Sequence, residues 1–187
     1  MSRSLVLTLA LAALTPTLAA DTFEVDAVHS GVNFTITHLK VSRFHGRFNE
    51  LAGKVVFDPA DPTKSAVELT VKAASVDTGN AARDKHLRSQ DFFSTEEFPE
   101  ITFKGAGVKA AGENSFEVKG TLTFHGVSKE ITVVVEHVAT GPGMKGETRA
   151  GFEARFTIKR SEYGMDYSMG ALGDDVSVVV WVEGVKK

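Results

Sequence analysis

The 187-residue sequence predicts an all-β, antiparallel domain. Three observations predict it. Apolar and polar residues alternate strictly over several segments, as they must when successive side chains of a strand point to opposite faces. Turn signals separate those segments at short spacing. One stretch alone is long enough for the crossover that parallel pairing requires.

Taken in order, the first candidate strands are residues Thr22–Asp26, Val32–Leu39, Arg43–Glu50 and Lys54–Asp58. The turn Asp58-Pro59-Ala60-Asp61-Pro62 follows. Val67, Leu69, Val71 and Ala73 then alternate with Glu68, Thr70 and Lys72. Between Ser75 and Pro99 lies the one plausible helix, with Asp77, Thr78 or Asn80 as N-cap and residues 81–89 as its body. Within it Asp84 and Arg88 stand one turn apart and are expected to pair, which contributes only about 0.2–0.5 kcal/mol. Leu87, Phe92 and Phe93 give this segment an apolar side suited to capping one end of a β-domain.

Ile101–Val108 is the next strand, followed by the turn Ala111-Gly112-Glu113-Asn114. The clearest alternation is Phe116, Val118, Gly120, Leu122 and Phe124 against Glu117, Lys119, Thr121, Thr123 and His125. After His125-Gly126-Val127-Ser128 come Lys129–Val138 and the turn Thr140-Gly141-Pro142-Gly143. Phe152, Ala154, Phe156 and Ile158 alternate with Glu153, Arg155, Thr157 and Lys159, and Val176–Gly184 completes the set. That makes about ten segments, some of them two halves of one bent strand. Between the last two, Ser161–Asp174 holds two Met, both Tyr and three Gly. It suits a mobile rim at a barrel mouth or a long ordered connection.

Half-buried antiparallel strands close as a barrel or stack as a sandwich. Closure removes exposed edges, and about eight strands leave an interior for side chains or one small ligand. The chain has 13 Phe against one Trp and two Tyr, so its apolar faces carry few polar tips and the interior is dry. On pattern alone a filled core is favoured over a ligand cavity.

The first residues read as a secretory signal peptide. Arg3 precedes an apolar run from Leu5 to Leu14, and small residues follow at Thr17 and Ala19, which predicts cleavage after Ala19. The run is too short for a spanning helix, which needs about 20 residues. With no Cys in the chain, disulfides and a lipid-attached cysteine are excluded, and one domain spanning residues 20–187 must be stabilised by its core. A net charge of −3 without a basic patch argues against nucleic acid as a partner. A cysteine-free chain with such a leader suits the bacterial periplasm.

Six His residues, at 29, 38, 45, 86, 125 and 137, show no metal-ligand spacing. His38 shares a strand face with Phe34 and Ile36, so it should point inward at the strand end, toward a ligand head group or a backbone carbonyl. No nucleophile elbow or phosphate loop is present, and Glu96-Glu97 and Asp174-Asp175 adjoin turn residues where carboxylates are solvated. No catalytic residue, metal ligand or cofactor is assigned.

Five ordered motifs resemble the YceI-like family of bacterial periplasmic proteins. They are Phe34-Thr35-Ile36-Thr37-His38-Leu39 with Phe44-His45-Gly46-Arg47-Phe48; Ser75-Val76-Asp77-Thr78-Gly79 with Arg83-Asp84-Lys85-His86-Leu87 and Asp91-Phe92-Phe93; Phe98-Pro99-Glu100-Ile101-Thr102-Phe103; Gly120 to Lys129; and Lys159 to Gly164. The resemblance implies an extended antiparallel, lipocalin-like β-barrel of about eight strands, with one short helix near residues 80–90. It also implies a lumen that holds a long polyisoprenoid, an isoprenoid quinone or a prenyl phosphate, which reverses the preference for a filled core. The alternatives are scavenging of other hydrophobic compounds, such as fatty-acid amides or antibiotics, and a stress-related partnership with a membrane redox protein or transient membrane contact.

Strand phase then proposes the lumen-facing residues. From the first half these are Phe34, Ile36, His38, Phe48, Leu69 and Val71. Phe103, Phe116, Leu122, Phe124, Phe152 and Phe156 follow from the second half, with Met165 and Met169 at the rim.

Overall fold

The computed structural model describes residues 20–187; the expected signal peptide lies outside the described residues. Eleven strands form one antiparallel sheet: β1 (Asp21–Val25), β2 (Gly31–His38), β3 (Ser42–Phe48), β4 (Leu51–Phe57), β5 (Ala66–Lys72), β6 (Val76–Asp77), β7 (Glu100–Ala110), β8 (Ser115–Phe124), β9 (Val127–Pro142), β10 (Thr148–Lys159) and β11 (Leu172–Lys186). The helix α1 (Ala81–Leu87) lies between β6 and β7.

Three pairs of these strands are halves of one bent strand. β11 pairs with β2 from Leu172 to Trp181 and with β1 from Gly184 to Lys186, so β1 and β2 lie end to end along the same neighbour. In the same way β3 and β4 pair with β2 and β1, and β6 and β5 pair with β3 and β4. The eleven segments therefore make eight walls, each hydrogen-bonded to the next in chain order, and β11 closes the ring on β1 and β2. This is an up-and-down barrel. Closure leaves no long unpaired edge, which is the device by which an all-β chain avoids pairing with other chains.

The break between β1 and β2 is held by charge. Arg149 on β10 reaches Asp26 at 2.8 Å in the connecting loop, and it also bonds Glu147 and Glu183. Asp26 also accepts from His29, and these two bonds hold its carboxyl well below the usual carboxylate range. The turn after β4 forms as expected: Asp58 accepts from the amides of Ala60 and Asp61. At the β8–β9 hairpin, His125 and Gly126 both adopt left-handed backbone conformations, φ 50° and 73°. A two-residue loop of that kind matches the twist of the strands it joins.

Asn80 caps α1 through a bond from the Arg83 amide. The expected Asp84–Arg88 pair does not form. Buried Asp84 accepts instead from the amide and hydroxyl of Thr78, while Arg88 donates to the carbonyls of Ala74 and Val76. The reason is local: those four groups lie in the segment just before the helix, and a buried carboxylate gains more by satisfying two nearby donors than by an exposed ion pair. The connection between β10 and β11 opens with a 3₁₀ turn, Arg160–Tyr163, and tucks Tyr163 and Met165 into the wall.

Candidate functional site

Inward-facing residues of the eight walls enclose a lumen of about 500 Å³. That falls within the range of about 300–1,000 Å³ usual for small-molecule sites. One end is sealed. Phe57 packs edge-on against Phe116 and Phe152, with ring centroids 5.4 and 5.3 Å apart, and the His137 ring lies 4.7 Å from Phe57. Phe23 meets Phe152 from behind at 6.3 Å. Such edge-to-face contacts are stable without any polar partner, so this end is dry.

Along the middle, large rings lie over glycines. The Phe34 ring covers Gly46, and that of Phe103 covers Gly120 so closely that a Cβ at either glycine would collide with it. Each ring therefore lies against the wall in the room that the glycine leaves. At the other end, α1 and the segment after it bring Leu87, Phe92 and Phe93 to the lumen, with Phe93 packed on Phe34, Phe48 and Phe124.

Thirteen of the fourteen residues proposed from strand phase line this lumen. Phe34, Ile36 and Phe48 do so from β2 and β3, Leu69 and Val71 from β5, and Phe103 from β7. Phe116, Leu122 and Phe124 lie on β8, Phe152 and Phe156 on β10, and Met165 beneath the connection that follows. His38 also lines the lumen, at the α1 end, its ring edge-on to Phe44 at 5.1 Å. Met169 is the exception. It is 41% exposed on the outer side of the connection, because the chain turns outward after Met165 and no strand alternation governs it there. Strand phase also leaves out Arg83 and Arg160, both of which line the lumen. A helix and a 3₁₀ turn place them, so period-two reading had no signal for either.

Polar groups concentrate at the α1 end. Arg83 lies over the Phe44 ring at 4.4 Å and donates to the hydroxyl and carbonyl of Thr78. His45 shares a hydrogen bond with Thr35, and His86 pairs with Asp91. Arg160 is 3% exposed and donates to the carbonyls of Gly173, Met165 and Tyr167. Burial pulls its pKa below the ordinary arginine value, opposed through space by Asp174 and Asp166. Among the described residues, the one cluster with metal-ligand reach is Asp26, His29 and Glu183, outside the lumen, where Arg149 already bonds both carboxylates.

A closed antiparallel barrel around an elongated apolar lumen defines the lipocalin-like class of binding barrels. Within it the chain belongs to the YceI-like domain family, which residues 23–183 match. A UPF0312 protein of Azotobacter vinelandii is 36% identical over 171 residues, covering 91% of this chain and 89% of the relative. Among solved structures, Burkholderia cenocepacia BcnA superposes with a TM-score of 0.78 at 24% identity, over 85% of this chain and 98% of that one. A polyisoprenoid binding domain from Saccharophagus degradans, implicated in plant cell wall breakdown, superposes with a TM-score of 0.70 at 19% identity, over 88% of this chain and 98% of its own. These two likenesses concern the fold. Among the described residues no helix is long and apolar enough to cross a membrane.

Proposed function

We propose that this protein binds a long apolar lipid of the polyisoprenoid type in its lumen and carries or sequesters it in the bacterial periplasm. The observation that carries this reading is the continuous Phe-lined cavity of about 500 Å³ in a barrel whose far end is closed by packed rings. A filled core would have no such space, and interiors are ordinarily packed to the density of organic crystals. The binding domain of S. degradans supports the ligand class by its likeness in fold, and the leader-like residues 1–19 support export.

The energetics follow from area. Each buried CH₂ contributes about 0.8 kcal/mol, so about ten methylenes contribute about 8 kcal/mol before the cost of ordering the tail. Retention of the tail needs no catalytic group. Protein purified from its own periplasm, extracted with organic solvent and examined by mass spectrometry, is expected to yield a stoichiometric isoprenoid lipid. Repeated preparations carrying no apolar compound would reject the reading.

A further inference from the structure

The charged residues that line the lumen are unevenly matched. Glu153 is paired with Arg155. Arg83 and Arg160 are not paired: their hydrogen bonds all go to a hydroxyl and to backbone carbonyls, and neither forms an ion pair among the described residues. Arg160 goes further. Its Nη2 is buried and has no hydrogen-bond partner among the described residues, although guanidinium donors in a protein interior are almost always satisfied.

Both arginines belong to the same end. Arg83 covers Phe44, Phe44 meets His38, and His38 stands opposite Leu172, next to the Gly173 whose carbonyl holds Arg160. From the other side, His86 on α1 packs on Tyr167, whose carbonyl also holds Arg160. Two carbonyls from the connection and one from the start of β11 fix the Arg160 guanidinium, and Thr78 fixes that of Arg83, so both are oriented before any ligand arrives. Two preorganised cations at one end of a predominantly apolar tube are complementary to an amphiphile with an anionic head. Guanidinium is the side chain best matched to phosphate and carboxylate oxygens.

We propose that Arg83 and Arg160 form the polar end of the lumen and hold the anionic head, a phosphate or carboxylate, of the bound lipid. This rests on the lumen reading above and adds to it a direction: head at α1, tail toward Phe57 and Phe152. It also predicts that head-group charge matters, whereas burial of the tail alone would leave chain length as the sole determinant.

The test compares geranylgeranyl phosphate with geranylgeraniol, which share a tail and differ in the head, by titration calorimetry on delipidated protein. Wild type is expected to bind the phosphate at least tenfold more tightly. Arg83→Met is expected to remove most of that preference, and Arg160→Lys to retain more of it than Arg160→Met. If Arg160→Met does not fold, the Arg83 variant alone carries the comparison. Equal binding of the two lipids by wild type, or equal loss of both in the Arg83 variant, would overturn the proposal and leave the lumen reading standing. Binding of neither lipid would overturn both. Inorganic phosphate binding as tightly as the lipid would assign the arginines to a free anion and also reject the proposal.

Discussion

His137 shows how one side chain couples the closed end of the barrel to pH. Its ring is packed between Phe57 and Phe152, at 4.7 and 5.5 Å, with Nε2 against the Thr140 hydroxyl at 2.8 Å. Burial holds its pKa below the ordinary value of 6.5. The unfolded chain therefore takes up a proton at higher pH than the folded one does. Stability from this group is fully present above pH 6.5 and is lost progressively as pH falls from there toward the depressed folded value. Urea midpoints measured at pH 7.5 and pH 5.5 are expected to differ more in wild type than in His137→Phe. A variant with the same pH dependence as wild type would show that other groups carry it.

At the scale of the element, α1 was legible in outline and not in its bonding. Local rules offer Asp77, Thr78 or Asn80 as N-cap and residues 81–89 as the body; Asn80 is the cap and the helix ends at Leu87. The partner of Asp84 does not follow from such rules, because Thr78 competes with Arg88 and only the folded path of the chain decides between them. The two arrangements differ in magnitude. An Asp84–Arg88 ion pair is worth about 0.2–0.5 kcal/mol, whereas removing a buried acceptor strands both Thr78 donors at about 1–3 kcal/mol. Asp84→Ala is therefore expected to lower stability by about 1–3 kcal/mol in chemical denaturation, and a loss under 0.5 kcal/mol would contradict the observed bonding. Because Thr78 also holds Arg83, the same change is expected to loosen the polar end of the lumen.

At the scale of the whole molecule, stability and binding are separable. The ring packing at the far end and the strand ladders are made by protein groups alone. Ala154 lines the lumen on β10, opposite Val135 and Val180 and between Phe152 and Phe156 in strand phase. Ala154→Phe is expected to fill part of the cavity, leave the circular dichroism spectrum unchanged and the unfolding free energy within about 1 kcal/mol of wild type because the ring enters open space rather than a packed core, and remove the co-purifying lipid. Were the filled protein to keep a cellular activity of the wild type, that activity would belong to the outer surface.

Period-two alternation determined by itself which side chains of Ser115–Phe124 and Phe152–Lys159 face inward, because the pleat forces it. The short turns determined that neighbours run antiparallel. The same pleat puts Phe34, Leu122 and Phe156 on the inward apolar face, where the structure has them lining the lumen. Met169 could not be placed, and Arg83 and Arg160 went unseen, because α1 and the connection after β10 obey no such period. Alternation did not decide whether the interior is open: on pattern a filled core is favoured, the family resemblance implies a lumen, and the tertiary structure contains the space. Whether eight walls of Phe, Val and Leu meet at the centre depends on the barrel's radius, set by strand number and stagger, against the summed volume of side chains contributed by residues far apart in the chain. That balance, and the burial of Arg160 with one nitrogen unpaired beside the space it leaves, exist only once the ring has closed.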